Sequence, residues 1–240
     1  RLAILANCAP QLLAALRDRH WQAYVLIQTS LAPWLQFLPR SGAKIVYFHD
    51  VRSDYLARAT EQPDRRAIAA VKAQETEASM LADAVGFVSA LDQERAAKMF
   101  SLPSVREVAP IPVDLEYYVP RPTDWPRDPR KVVLFTGHLR HPPNVDAAIY
   151  FLKEVWPLVL CACPDAVFQA VGLTPHPDLE EAVRKSTRAE LHANVPDIRP
   201  YFWNASAYVV PMRFGGGVRQ KIFEAWAMRL PVVSTTMGAE

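Results

Sequence analysis

Residues 214–228 read FGGGVRQKIFEAWAM, and their types and spacing could do chemistry. Three glycines, Gly215, Gly216 and Gly217, lead into Arg219, Lys221 and Glu224, and residues 218–228 have helical spacing. The glycines therefore stand at a helix N-terminus. Backbone N–H groups there have no intrahelical acceptor, the helix dipole favours an anion, and glycine lets a phosphate come close. Arg219 and Lys221 put positive charge in a first turn where the dipole disfavours it, so a compensating anion such as a diphosphate is expected. Glu224 shares a helix face with Lys221 and could accept from ribose hydroxyls, as acidic residues of dinucleotide folds do. Val218, Ile222, Ala225 and Trp226 form the stripe expected to pack on a sheet. The bland alternative is a tight loop shaped by glycine, followed by a Lys221–Glu224 surface pair.

The elements that must position these residues alternate along the chain. From residue 131, KVVLFTG reads as a strand, VDAAIYFLKEVWPLVL as a helix, AVFQAVG as a strand and DLEEAVRKSTRA as a helix. HANV is a weak strand, DIRPYFWNA a helical turn, AYVVP a strand, VRQKIFEAWAM a helix and PVVSTT a strand. Apolar strands separated by helices imply a parallel sheet covered on both faces. Residues 1–122 repeat the pattern less completely: AYVLIQTS, an apolar helical stretch through Leu38, AKIVYFHD, a long charged helix near residues 54–81, AVGFVSA, another helix and VREVAPIPVD. The fold expected is α/β, with two Rossmann-like, doubly wound parallel-sheet domains facing a cleft. The proline-rich stretch YYVPRPTDWPRDPR is the natural linker, with the boundary near residue 122 and a second domain over 123–240. Ligands of such sheets bind beyond the carboxyl ends of the strands, which places the glycine loop after AYVVP at the site.

Composition excludes several classes. The 240 residues carry 27 basic and 25 acidic side chains, a formal charge of +2, so no nucleic-acid footprint is present. No apolar run reaches membrane-spanning length, and the opening RLAILANCAP has too short an apolar core for a signal peptide, so a cytoplasmic protein is expected. Cys8, Cys161 and Cys163 sit among apolar residues without metal or disulfide spacing and are read as packing residues. Arg at position 1 and the stop after VVSTTMGAE read as a fragment, lacking first strands of the first domain and final helices of the second.

The ordered segments FTGHLRHPPNVDAAIYFLKEVWPLV, PDAVFQAVG and VPDIRPYFWNASAYVVPMRFGGGVRQKIFEAWAMRLPVVSTTMGAE resemble the donor-binding domain of retaining glycosyltransferases of the GT-B fold, in the group-1, GT4-like branch that builds bacterial polysaccharides. In the first half, AKIVYFHDV, ADAVGFVSALD and IPVD resemble the acceptor-side domain. The resemblance implies that Glu224 holds the donor ribose, that Arg219 and Lys221 face the diphosphate, and that Gly137 is the turn beside the phosphates and sugar. It places Asp197 and Ile198 in the loop facing the base, and His49 in the cleft beside the reacting sugar. It further implies retention without metal or cofactor, the partners being a nucleotide-sugar donor and a glycan or lipid-linked acceptor. An apolar acceptor face could dock at the inner face of the plasma membrane, although no basic amphipathic helix is evident.

Two positions depart from the family pattern. Gly216 stands where the first of two paired glutamates is expected, and His138, Arg140 and His141 replace the usual basic pair after the first strand, leaving it open whether Arg140 substitutes. As negative charge develops on the departing phosphate, fixed donors aimed at it are usually the largest catalytic factor, and the Gly216 and Gly217 N–H groups, Arg219 and Lys221 are the candidates. His49 could act as acid, base or hydrogen-bond donor, or merely cap a helix beside Asp50. Asn144 is most simply an N-cap, and Ser89 caps the helix after it. Tyr117, Tyr118 and Trp125 could stack on a sugar or base, or seal a surface, and RPYFWN packs its turn on the sheet. The rivals to transfer are a nucleotide-sugar 2-epimerase on the same fold and a non-catalytic nucleotide-sugar binder.

Overall fold

A computed structural model describes residues 10, 14, 16, 20–58, 63–126 and 128–240; Cys8 and the opening apolar stretch lie outside them. Contacts divide the chain into two compact units, Arg1–Pro110 with Gly216–Val218, and Ile111–Gly215 with Arg219–Glu240.

In the first unit the strands are β1 (Ala23–Ile27), β2 (Ala43–Phe48), β3 (Ala84–Phe87) and β4 (Val105–Val108), all parallel, in the order β1-β2-β3-β4. A 3₁₀ segment, Thr29–Phe37, occupies the apolar stretch before β2. The single charged helix expected near 54–81 is instead two, α1 (Arg52–Arg58) and α2 (Arg65–Leu81). Proline at 63 interrupts the helical ladder, and Asp64 starts α2 afresh as its N-cap, accepting from the Arg66 and Ala67 N–H groups at 2.9 and 3.1 Å. Buried Glu75 of α2 accepts from the Arg52 N–H at 2.7 Å, the Ser53 N–H at 3.3 Å and the Ser53 hydroxyl, so one carboxylate satisfies two orphan backbone donors of α1. Ser89 caps α3 (Ala90–Met99) as expected, accepting from the Asp92 N–H at 3.0 Å. Phe48 stacks on Phe87 and Phe100 at the centre of this unit.

The second unit holds β5 (Lys131–His138), β6 (Ala166–Leu173), β7 (Ala189–Ala193), β8 (Ala205–Val210) and β9 (Val232–Ser234), again all parallel, in the order β7-β6-β5-β8-β9. The strand expected at HANV begins three residues earlier, because the helix before it ends at Lys185. The helices are α4 (Pro142–Tyr150), α5 (Trp156–Ala162), α6 (Pro177–Lys185), α7 (Arg199–Asn204) and α8 (Gln220–Ala227). A π-helical turn, Phe151–Val155, joins α4 to α5. Proline at 157 cannot donate to the carbonyl four residues back, and the wider turn absorbs that missing bond.

Leu134, Phe135, Phe168, Trp156, Phe202 and Tyr208 fill the core around the sheet. Phe202 of α7 stacks on Tyr208 at 5.4 Å, so RPYFWN does pack on the sheet. Cys163 is half-buried against this core, whereas Cys161 is exposed; it lies with exposed Leu158 on the outward face of α5 and is not a packing residue. The proline-rich stretch packs on α7: Trp125 meets Trp203 at 4.8 Å and donates to Asn204 Oδ1 at 3.1 Å, and the Trp203 indole donates to the Val119 carbonyl.

Candidate functional site

In the second sheet the strand order reverses at β5, so the crevice between the ends of β5 and β8 is the point where an open α/β sheet receives ligands. Two glycines shape its floor. Gly137 and Gly172 pair across β5 and β6, and a Cβ at Gly172 would run into the Gly137 carbonyl. A Cβ at Gly137 would stand 2.9 Å from Asn144 Nδ2 and 3.1 Å from Lys221 Nζ. Glycine at 137 thus leaves room for the Lys221 ammonium against the end of β5.

Lys221 reaches across the crevice from α8. Its Nζ donates to the Thr136 carbonyl at 2.8 Å and to Asn144 Oδ1 at 3.0 Å, and lies 4.9 Å from the Phe135 ring centroid. Burial pushes its ammonium down to about 8, the Arg219 charge acts in the same direction, and Glu224 opposes both. All its direct oxygen partners are neutral, so the positive charge is held in place without being cancelled. Lys221 thus places a cation at the end of β5.

Asn144 is not an N-cap. His141 takes that position because Pro142 and Pro143 open α4, proline being favoured where the N–H has no partner, and Asn144 falls in the first turn. Its Nδ2 donates to the His138 carbonyl at 3.1 Å while its Oδ1 accepts from Lys221. His141 is held below the usual imidazole range by burial first, then by His138, Lys221 and Arg219.

Helix α8 begins at Gln220, two residues later than its spacing implies. Gly217 is in the left-handed region at φ 69° and Arg219 takes the N-cap with ψ 81°, so Arg219 precedes the first turn. The buried face of α8 is Ile222 and Ala225, continued by Met228, while Trp226 is 57% exposed and meets Phe223 edge-on at 5.5 Å. Trp226 therefore leaves the expected stripe. Glu224 is half-buried and does not form a simple surface pair with Lys221. It accepts from the Tyr118 hydroxyl, and burial pushes its carboxyl up, against the pull of Tyr118 and Lys221. Tyr118 is pushed up by burial and by Glu224, and its ring packs edge-on against Phe202 and Tyr117.

Asp197 is committed to Arg199, accepting from its backbone N–H at 2.9 Å, Nε at 3.0 Å and Nη2 at 2.8 Å, which holds its carboxyl below the usual range. The Tyr117 hydroxyl lies 3.4 Å from Asp197, and Arg199 covers the Tyr117 ring at 4.7 Å. Ile198 is half-buried in the core and takes the N-cap of α7. Asp197 borders a cavity of about 450 Å³ along β7, lined also by Arg130, Gln169, Glu190, His192 and Tyr201.

The structure thus brings Gly137, Lys221 and Glu224 together, and sets Asp197 and Ile198 on the neighbouring turn. In the first unit His49 is exposed just beyond β2, edge-on to Tyr47 at 5.3 Å. Sequence reasoning missed Thr136 and Tyr208, whose hydroxyls meet at 2.6 Å beneath the crevice, and the tie from Tyr118 to Glu224. A threonine inside the apolar run KVVLFTG was the available signal for the first, since a buried hydroxyl needs a partner.

Residues 130–240 match the family described as Glycosyl transferases group 1. A Klebsiella pneumoniae relative, an uncharacterized 44.6 kDa protein in the cps region, is 27% identical over 115 residues, which are 45% of this chain and 30% of that protein. Sucrose-phosphate synthase from Thermosynechococcus elongatus superposes with a TM-score of 0.72 at 16% identity, over 95% of this chain and 60% of its own. The E. coli trehalose-6-phosphate structure bound with UDP-2-fluoro glucose gives 0.68 at 13% identity, over 98% of this chain and 63% of its own. The chain therefore spans about a third of the curated relative and under two thirds of these structures. At such identities the structural likeness shows the fold: α/β with parallel sheets, as in GT-B glycosyltransferases.

Proposed function

We propose that the protein moves a sugar, with retention and without a metal, from a nucleotide-diphosphate donor to a glycan or lipid-linked acceptor during synthesis of a cell-surface polysaccharide. One observation carries this reading: the Lys221 ammonium is held at the Gly137 turn by neutral acceptors alone, at the switch point of the sheet and one helical turn before Glu224. An uncancelled, partly desolvated cation in that position favours an anionic ligand, and a carboxylate beside it suits a ribose.

On this reading the diphosphate lies over the start of α8. As the bond from the anomeric carbon to the phosphate oxygen breaks, charge grows on the departing diphosphate. Lys221, Arg219 and the backbone N–H groups of Gly216 and Gly217 stabilise it in place, with no reorganisation at the moment of reaction. Glu224 presents a carboxylate oxygen to the ribose while Tyr118 steadies the group. The Asp197–Ile198 turn faces the base, Gly215 lets the loop close on the donor, and His49 serves the acceptor side. The cps-region relative motivates the polysaccharide role, and the UDP sugar of the E. coli structure makes a uridine donor the first to test.

Calorimetric titration of UDP, GDP and ADP into residues 1–240 tests the reading, alongside Glu224→Ala and Lys221→Ala. One nucleotide should bind, with at least a tenfold loss in each variant. If none of the three binds to folded protein, the glycine loop is structural and the donor reading fails.

A further inference from the structure

We infer that Asn144 is the positioning residue of this site, holding the Lys221 ammonium at the Gly137 turn while leaving its charge available to an anion. The inference rests on the donor-site reading above and deepens it. Three observations carry it. Asn144 is buried, 9% exposed, so its amide must be satisfied within the protein. Its two ends meet partners of opposite need: Nδ2 gives a proton to the His138 carbonyl at 3.1 Å, and Oδ1 takes one from Lys221 Nζ at 3.0 Å. Turning the amide over would set NH₂ against the ammonium and oxygen against a carbonyl, so a single orientation satisfies both bonds. Finally, a Cβ at Gly137 would meet both Asn144 and Lys221, so the turn is shaped around this pair.

The choice of amide has a chemical consequence. A carboxylate at 144 would hold the ammonium equally well, but as an ion pair that cancels the charge a diphosphate needs. An aliphatic residue would leave the ammonium held by the Thr136 carbonyl alone. Asparagine and the Thr136 carbonyl take up two of the three ammonium protons, and the third remains for an anionic oxygen. Asn144 touches neither donor nor reacting atoms in this account; it acts through Lys221. The other charged or titratable groups acting on or against Lys221 are Arg219 and Glu224 around its own helix and His141 at the start of α4.

The test follows Lys221 itself. In the full 240-residue chain with ¹³Cε-labelled lysine, the Lys221 signal, assigned by its loss in Lys221→Met, is titrated in the parent, Asn144→Asp and Asn144→Ala. The parent midpoint should fall near 8. With aspartate it should rise by at least one pH unit, and UDP affinity should fall at least tenfold; with alanine the midpoint should drop, since the charged form loses an acceptor. A folded Asn144→Asp protein whose Lys221 midpoint equals the parent's overturns the inference. Should Asn144→Asp fail to fold, an unmoved midpoint in Asn144→Ala does the same. The two readings fail separately: midpoints that shift while no nucleotide binds the parent sink the donor reading and leave the positioning role standing. Nucleotide binding with unmoved midpoints does the reverse.

Discussion

Replacing Lys221 with methionine separates what the ammonium costs the fold from what it gives the site. Burial and Arg219 bring this group down to about 8, against an ordinary value of 10.5. That depression corresponds to roughly 3 kcal/mol against the charged form. The folded protein gives up the proton first, so between pH 8 and 10.5 the unfolded chain binds more protons and stability rises with pH. Below pH 8 the full penalty is present. Methionine keeps the length of the stem but gives up the Nζ contact over the Phe135 ring and leaves the Thr136 carbonyl and Asn144 Oδ1 without Lys221's protons, which costs about 1–3 kcal/mol. Near pH 7 the loss and the relief nearly offset, and Lys221→Met should unfold within about 2 kcal/mol of the parent. As pH rises to 10 only the parent gains, so the gap between the two should widen in the parent's favour by roughly 2–3 kcal/mol.

Urea unfolding followed by far-UV circular dichroism at pH 7, 8, 9 and 10 reads this directly. Tyr118 and Tyr208, both raised by burial, also titrate differently in folded and unfolded chains at the alkaline end, but they do so in both proteins and drop out of the difference. A parent-minus-variant difference that is flat from pH 7 to 10 would refute the claim that a desolvated cation sits at the end of β5.

Two further substitutions address the floor of the crevice. Gly137→Ala puts a Cβ 2.9 Å from Asn144 Nδ2 and 3.1 Å from Lys221 Nζ, so nucleotide affinity should fall at least tenfold with secondary structure intact; calorimetry giving the parent affinity would show that the pair yields freely. Tyr208→Phe removes the hydroxyl 2.6 Å from Thr136 Oγ1 and leaves that buried oxygen without its partner, which should cost about 1–3 kcal/mol in urea unfolding. Parent stability in that variant would mean that Thr136 is satisfied elsewhere.

What the sequence could and could not disclose follows from the range of each interaction. The strands of the second sheet were legible because a buried parallel strand is an unbroken apolar run, and β6 is buried at every residue but its last. The glycine loop and Glu224 were legible because their meaning is local, a helix start and a position one turn along it. Lys221 was legible as a cation near a diphosphate, but not as a side chain anchored at the far end of another strand. The atoms that anchor it belong to residues 85 and 77 positions earlier, and no periodicity links a lysine to a carbonyl that distant. Asn144 failed for a related reason. Asparagine before an apolar helical run is ordinarily a cap, and two prolines opening α4 from His141 transferred that duty and left the amide free to join β5 to α8. The stripe on α8 failed at Trp226 because the buried arc belongs to small residues there, Ala225 being fully buried while the indole stands outside. Periodicity identifies which face of an element is covered; which polar atom a covered group meets is decided by the fold, and at this crevice those meetings set the charge that a ligand would encounter.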